Sequence, residues 1–171
     1  TEWQAINREN WEGIELFKNF LVPLSAISSV CAILLRFLST SPLYAIGIGI
    51  ILFVASVVGC YITYRIAREY LINKVPQANR TALHLAVYSS AVFIPFHCLS
   101  SGFSEGFLSQ LMAICSLLCL RTLYVGLNRL TALDAQYRKS ALVIIGLLVI
   151  VSPIIIQQLL MIIFRIPTIY A

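Results

Sequence analysis

Few side chains within the apolar stretches of this chain have the chemistry of a reactive site. The titratable candidates are two histidines, His84 and His97, and a cysteine pair, Cys115 and Cys119. The histidines are about 20 Å apart along a helix, so a shared metal ion would need a further ligand. The two thiols share one helical face and are a weak candidate for a soft metal ion. The sequence predicts buried thiols, packing histidines, no metal site and no cofactor. It leaves open whether His97 or the cysteine pair binds a ligand.

A second set of polar side chains lies near the ends of the apolar stretches. Tyr64, Arg65, Arg68, Arg121 and Tyr124 could build an enzyme site, bind lipid phosphates or anchor helix ends. No nucleotide-binding loop, metalloprotease helix, serine elbow or zinc spacing occurs in the sequence. We therefore predict a protein without enzymatic activity. The candidates for lipid or partner contact are Trp3, Trp11, Arg65, Arg68, Arg121 and Tyr124.

The elements that must position these side chains are five long apolar runs. Hydrophobic residues make up 60% of the 171-residue chain and charged residues 11%, against about 25% charged in typical soluble domains. About 20 apolar residues in a helix cross the roughly 30 Å hydrocarbon core of a bilayer. The sequence predicts an all-α, polytopic membrane bundle in one domain, 1–171, with spans at 17–38, 43–64, 82–99, 107–127 and 141–164. The second helix is expected to continue beyond its span as far as Ile72.

The distribution of Lys and Arg predicts the orientation of the spans. With a cytoplasmic N-terminus, ten cations fall on the cytoplasmic side: Arg8, Lys18, Arg65, Arg68, Lys74, Arg80, Arg121, Arg129, Arg138 and Lys139. Only Arg36 and Arg165 fall on the other side, where both are expected to extend toward water. This asymmetry indicates an integral membrane protein with its N-terminus inside and its C-terminus outside. Because the cations are scattered, without a basic patch, we predict no nucleic-acid partner.

The segment 1–16 differs from the spans that follow. It contains both tryptophans, with Ile6 and Ile14 at helical spacing among four glutamates. Such a pattern fits an amphipathic helix in the membrane interface, with its indoles at headgroup depth. It fits equally well a short helix that packs on the inner end of the bundle.

Small and polar residues inside the spans predict how the helices pack. Small residues four apart allow close helix approach, and amides in a span need partners on other helices. The predicted packing residues are Ser25, Ser29, Gly49, Gly59, Tyr88, Ser89, Gly126, Gln157 and Gln158. Pro23, Pro95 and Pro153 lie inside spans and are expected to kink them, because each removes one backbone donor.

Four features occur in the same order and spacing in a known family. They are the tryptophan-rich start, Leu21–Leu24 at the first span, Leu85–Ser90 in the third and Leu123–Leu127 in the fourth. Together they resemble the bacterial branch of the Yip family, the Ypt/Rab-interacting five-span membrane proteins. Asn128 stands where bacterial members usually have proline, and the connection 39–44 lacks the acidic signature of eukaryotic members. The resemblance implies five spans, a cytoplasmic N-terminus and a bacterial inner membrane, rather than Rab binding.

Two functions are consistent with these patterns. The first is a non-enzymatic scaffold or accessory subunit of a larger inner-membrane complex, in contact with lipid and with other subunits or a second copy. The small packing faces and the scarcity of charge within the spans favour it. The alternative is a small transporter, channel or lipid-handling protein, which the prolines and the cytoplasmic arginines would suit.

Overall fold

Five long helices make up most of the chain. The computed structural model describes residues 13–103, 106–131 and 134–164. The helices are α1 (Phe17–Phe37), α2 (Pro42–Leu71), α3 (Ala78–Gly102), α4 (Phe107–Leu130) and α5 (Ala135–Ile163), and a single helical turn, Gly13–Leu16, precedes α1. Each of the five is long and apolar enough to cross a membrane, and the described residues contain no strand. The all-α bundle of five spans predicted from the sequence is confirmed.

The helices extend beyond the predicted spans mainly at one end of the bundle. We call this the inner end, where α2 joins α3 and α4 joins α5; the outer end carries the α1–α2 and α3–α4 connections. At the inner end α2 continues to Leu71, and α5 begins at Ala135, before the predicted start at 141. These extensions carry Arg65, Arg68 and Arg138, so the charged turns lie where water and headgroups can solvate them.

Prolines shape the starts of two helices. Pro42 occupies the first turn of α2 behind an extended Ser41, a position where the missing N–H costs no hydrogen bond. Pro23 follows a π-helical turn, Phe17–Leu21, in which the Val22 N–H donates to the carbonyl of Phe17. This wider turn accommodates the residue that cannot donate. Pro95 and Pro153, in contrast, lie inside α3 and α5 without interrupting them.

The third helix is the centre of the bundle and contacts each of the other four. Of its most apolar 18-residue window 61% is buried, against 28% for α4. Small and hydroxyl side chains such as Ala82, Ala86 and Ser89 dominate its buried face. Large side chains such as Ile50 and Ile162 point outward from other helices. Because lipid is as apolar as leucine, close packing of small residues and hydrogen bonds, rather than hydrophobic burial, hold such a bundle together.

The fourth helix is divided by Leu117 into an outer segment, Phe107–Ser116, and an inner segment, Leu118–Leu130. The inner segment packs against both α3 and α5, whereas the outer segment packs against α3 without extensive contact with α5. Gly146 marks the close contact, because a Cβ there would lie 2.6 Å from the Leu120 Cδ2 atom. The two helices therefore touch at the inner half of the bundle and separate toward the outer half.

Candidate functional site

The helices α2 and α5 cross at a buried cluster of hydroxyl groups. Thr63 Oγ1 donates to the carbonyl of Gly59 at 2.9 Å, and Ser152 Oγ reaches the same carbonyl at 3.0 Å. The two hydroxyl oxygens are 3.1 Å apart. A Cβ on Gly59 would lie 2.8 Å from the Pro153 Cγ atom and 2.9 Å from its nitrogen. Only glycine permits this approach, so the Gly59 predicted to pack helices lies at the closest α2–α5 contact.

Gly49 has the corresponding position between α1 and α2. A Cβ there would overlap the side chain of Ile33 and lie 3.4 Å from the Ser29 carbonyl oxygen. Ser25 and Ser29 are buried on the facing side of α1, and Ser25 Oγ donates to the Val22 carbonyl at 2.9 Å. The Ser29 hydroxyl has no well-formed hydrogen bond among the described residues and lies beside the Cys98 thiol. These small residues therefore work as contact points rather than as a reactive group.

His97 and Gln157 are brought together across α3 and α5. The imidazole Nε2 lies 2.8 Å from the amide Oε1, and the ring stacks on Phe93 with its centroid 5.0 Å away. Gln157 is buried, whereas Gln158, its neighbour in the chain, is exposed. The two amides predicted to join helices thus differ: one has a partner inside the bundle and the other faces outward. His84 is buried at the inner end, and neither of its ring nitrogens has a hydrogen-bond partner among the described residues.

Two serines fasten the outer segment of α4 to α3. Ser100 Oγ donates to the carbonyl of Ser109 at 2.9 Å, and Ser109 Oγ donates to the carbonyl of Ser100 at the same distance. These two bonds give both hydroxyl groups an acceptor, and they give the Ser100 carbonyl, in the last turn of α3, a donor from another helix. The sequence analysis did not single out either serine, because nothing along the chain shows that residues on consecutive helices will face one another.

Arg36 corrects an expectation from the sequence. Instead of extending to the outer surface, it is 2% exposed and is among the largest fully buried side chains of the described residues. Its Nη1 donates to the carbonyls of Ser101 and Phe103 at 3.2 and 3.4 Å, and its guanidinium lies 5.8 Å from the Tyr44 ring centroid. The C-terminus of α3 leaves carbonyls without helical partners, and the cation satisfies two of them. Arg36 therefore joins α1, α2 and α3 at the outer end.

The predicted lipid-contact residues are not gathered into one site. Arg65 and Arg121 are exposed, Tyr124 is 49% exposed, and Arg68 is partly buried with its Nε unpartnered among the described residues. Arg65 and Arg68 lie on α2, whereas Arg121 and Tyr124 lie on α4. Because α3 and α5 lie between α2 and α4, these two groups of side chains belong to separate surfaces of the inner end. Trp3 and Trp11, with residues 1–12 of the predicted amphipathic segment, lie outside the described residues.

The remaining predicted positions lie in the packed interior. Tyr88 is partly buried, with its ring centroid 5.7 Å from that of Phe20 and 5.9 Å from that of His84. Ser89 is buried and donates to carbonyls of its own helix, and Gly126 is buried on α4. Cys115 and Cys119 are on opposite sides of the break at Leu117, and within the described ranges no group of three His, Cys, Asp or Glu side chains could hold a metal ion.

The polar side chains of the spans thus bond mainly to one another and to helix carbonyls. The Gly59 cluster, the His97–Gln157 pair, the serine exchange and Arg36 each join two or three helices. These features define a class: an integral membrane protein, built as a five-helix bundle with polar contacts at its helix crossings. In comparisons with known protein families, curated proteins and solved structures, nothing matches this chain.

Proposed function

We propose that this chain is a non-enzymatic scaffold or accessory subunit, which binds other membrane subunits or a second copy of itself through the outward faces of its helices. The proposal includes a bacterial inner membrane with the N-terminus in the cytoplasm. It also includes membership of the Yip family, which rests on the sequence strings alone. The observation that carries the proposed function is the exposed amide of Gln158 on α5.

Gln158 lies on an otherwise apolar surface. Ile154, Ile155, Leu159 and Ile162 are exposed on the same helix, so hydrocarbon or a partner helix must cover this face. An amide in hydrocarbon loses the hydrogen bonds that it makes in water. A side chain on a neighbouring subunit can restore one of them, and such interhelical bonds contribute about 0.6 kcal/mol on average. Gln158 therefore favours a protein partner at this surface.

The internal pairing of the other polar groups supports the same function. Gln157 has His97, Thr63 has Ser152, and Arg36 has the carbonyls at the end of α3. These bonds hold the helices in place, as a scaffold requires. Gln158 differs from them because its side chain is exposed on the outward face of α5.

The two adjacent glutamines provide a matched test. Gln158→Leu is expected to leave the thermal stability of the isolated protein unchanged and to reduce the partner or second copy retained after extraction in mild detergent. Gln157→Leu removes the partner of His97 instead, so it is expected to lower the melting temperature. The measurements are native gel mobility, mass spectrometry of the purified particle and a thermal melt.

Two results would contradict the proposal. One is a monomeric, partner-free particle after several mild extractions of the wild-type protein. The other is a Gln158→Leu variant that retains its partner at the wild-type level. Leu159→Ile, an apolar exchange at the next position, is the control for general disturbance of the α5 surface.

A further inference from the structure

The separation of α4 and α5 at the outer half leaves a gap over α3. The inner segment of α4 packs against α5, but the outer segment, Phe107–Ser116, packs against α3 without extensive contact with α5. Ser100 on α3 is bonded to Ser109 on one side of this gap. On the other side, α5 reaches α3 through Gln157. Most of the apolar window of α4 is unburied, so this helix faces the bilayer beside the gap.

His97 lies at the floor of this gap. It is between Phe93, which is buried in the core shared by α3, α4 and α5, and Ser100, which contacts the outer segment of α4. Phe93 is 1% exposed, whereas His97 retains partial exposure. Because one face of the imidazole is covered by Phe93 and its Nε2 is bonded to Gln157, we place the remaining side of the ring toward the gap.

The hydrogen bond to Gln157 determines what the imidazole offers to a ligand. Gln157 Oε1 can only accept, so His97 Nε2 carries the hydrogen. In the neutral ring the other nitrogen, Nδ1, is then an acceptor. Among the described residues, the hydrogen bond that the imidazole makes is the one between Nε2 and Gln157. A complementary ligand must therefore bring a donor, such as a hydroxyl group.

The depth of His97 narrows the class of ligand. It lies about five residues before the outer end of α3, or roughly 7.5 Å along the axis. The helix is about 37 Å long, so it exceeds a roughly 30 Å hydrocarbon core by about 4 Å at each end. His97 is therefore just below the outer boundary of the hydrocarbon. A hydroxyl reaches this depth only if no charged headgroup holds it at the surface.

We propose that this gap binds a neutral glycerolipid with a free hydroxyl, of the diacylglycerol type. The hydroxyl donates to His97 Nδ1, and the acyl chains lie against the apolar walls formed by α4 and α5. The phosphate of a phospholipid finds no counterpart here, because the side chains identified around the gap, Phe93, Ser100, Ser109 and Gln157, are uncharged. The inference is independent of the scaffold function and adds a lipid site to it.

The test uses the full-length protein in detergent, freed of native lipid, with dioctanoylglycerol and its acetylated counterpart as probes. The two differ in whether the third glycerol oxygen can donate a hydrogen bond. One hydrogen bond corresponds to a preference of roughly two- to tenfold for the free hydroxyl. Native mass spectrometry measures the ratio of bound species. We expect the preference to disappear in His97→Phe, which keeps an aromatic ring on Phe93, and to persist in His84→Phe.

A second measurement uses the wild-type protein and does not depend on the folding of a variant. The chain contains two histidines, so in protein labelled with nitrogen-15 at histidine the nuclear magnetic resonance signals of His84 serve as an internal control. Dioctanoylglycerol is expected to shift the Nδ1 signal of His97 and to leave His84 unchanged. Equal binding of the two probes, an unmoved His97 signal, or a preference retained in His97→Phe would each overturn the proposal. So would a purified partner subunit that shifts His97 in place of the lipid.

Discussion

Thr63 and Ser152 show how individual residues hold this bundle together. Each hydroxyl reaches the Gly59 carbonyl, and each reaches the other, so the three groups form one unit inside the membrane. Hydroxyl groups on a helix often bond only to their own preceding turn, as Ser89 does here. Ser152 instead uses the carbonyl of a different helix. Its bond therefore contributes to the association of α2 with α5.

A double-mutant cycle tests whether these hydroxyls act together. Thr63→Val and Ser152→Ala each remove one hydroxyl group and preserve most of the packing. We expect each to lower the free energy of unfolding in mixed micelles by about 0.6–1.7 kcal/mol, with the double variant losing less than the sum. Ser140→Ala, on the exposed inner end of α5, is the control for loss of a hydroxyl. Strictly additive losses would show that the two hydroxyls do not interact.

The contrast between Gly59 and Arg36 shows what the sequence predicts at this scale. The spacing of small residues four apart, with Gly59 among them, predicts a close helix approach, because it depends only on the periodicity of one helix. The identity of the partner, Pro153 on α5, depends on how distant segments pack, and no local pattern contains it. Arg36 was wrongly expected at the surface. Its position near a span end predicts solvation, whereas the carbonyls that bind it come from residues 101 and 103.

At the scale of elements, the outer end is held by the contact of Arg36 with the last turn of α3. Arg36→Leu leaves the carbonyls of Ser101 and Phe103 without their donor at a buried site. We expect a loss of about 1–3 kcal/mol in stability, with faster hydrogen exchange confined to the end of α3. Arg36→Lys keeps the charge and an ammonium that can still donate to these carbonyls, but it loses the guanidinium plane beside the Tyr44 ring, so its loss should be intermediate. If Arg36→Leu exchanged at the wild-type rate there, the contact would have no role in stability.

The two segments of α4 are expected to differ in mobility. The break at Leu117 separates two segments of α4. The inner segment packs against α3 and α5, whereas the extensive contacts of the outer segment are with α3. Ser109→Ala removes one hydroxyl of the exchange with Ser100, so amide exchange should accelerate in Phe107–Ser116 and remain unchanged in Leu118–Leu130. Thr122→Ala, on the inner segment, is the matched control because its hydroxyl bonds only within the helix. Uniform acceleration along α4 would contradict two independent segments.

The existence of five helices was predictable, whereas their packing was not. Twenty apolar residues require a helix wherever a membrane surrounds them, so each span follows from local composition. The central position of α3 does not follow from local composition, because it depends on which helix has small residues on several faces at once. In retrospect, Leu85–Ser90 and the neighbouring alanines carry that signal. The least apolar of the five spans is also the most buried, as expected where packing and hydrogen bonds replace hydrophobic burial.

At the scale of the whole molecule, the arrangement of the cations makes the orientation testable. The inner end carries Arg65, Arg68 and Lys74. The Lys74 ammonium lies against two aromatic rings, with Nζ 3.5 Å from the Tyr70 ring centroid and 5.2 Å from that of Tyr137. In the described residues the outer end offers only Arg36, and that side chain is buried. Among the described residues, the difference between the two ends is therefore larger in accessible positive charge than in the number of cations.

Labelling of single cysteines provides the test of this orientation. Ser41 and Gln77 are both exposed and lie in connections at opposite ends of the bundle. In a background with the five native cysteines replaced, Ser41→Cys should react with a membrane-impermeant maleimide added to intact cells, because the proposed orientation places its connection outside. Gln77→Cys should react only after the membrane is permeabilised. The opposite pattern would place the cationic end outside. Equal labelling of both sites in intact cells would show a mixed topology, which the cation asymmetry should prevent.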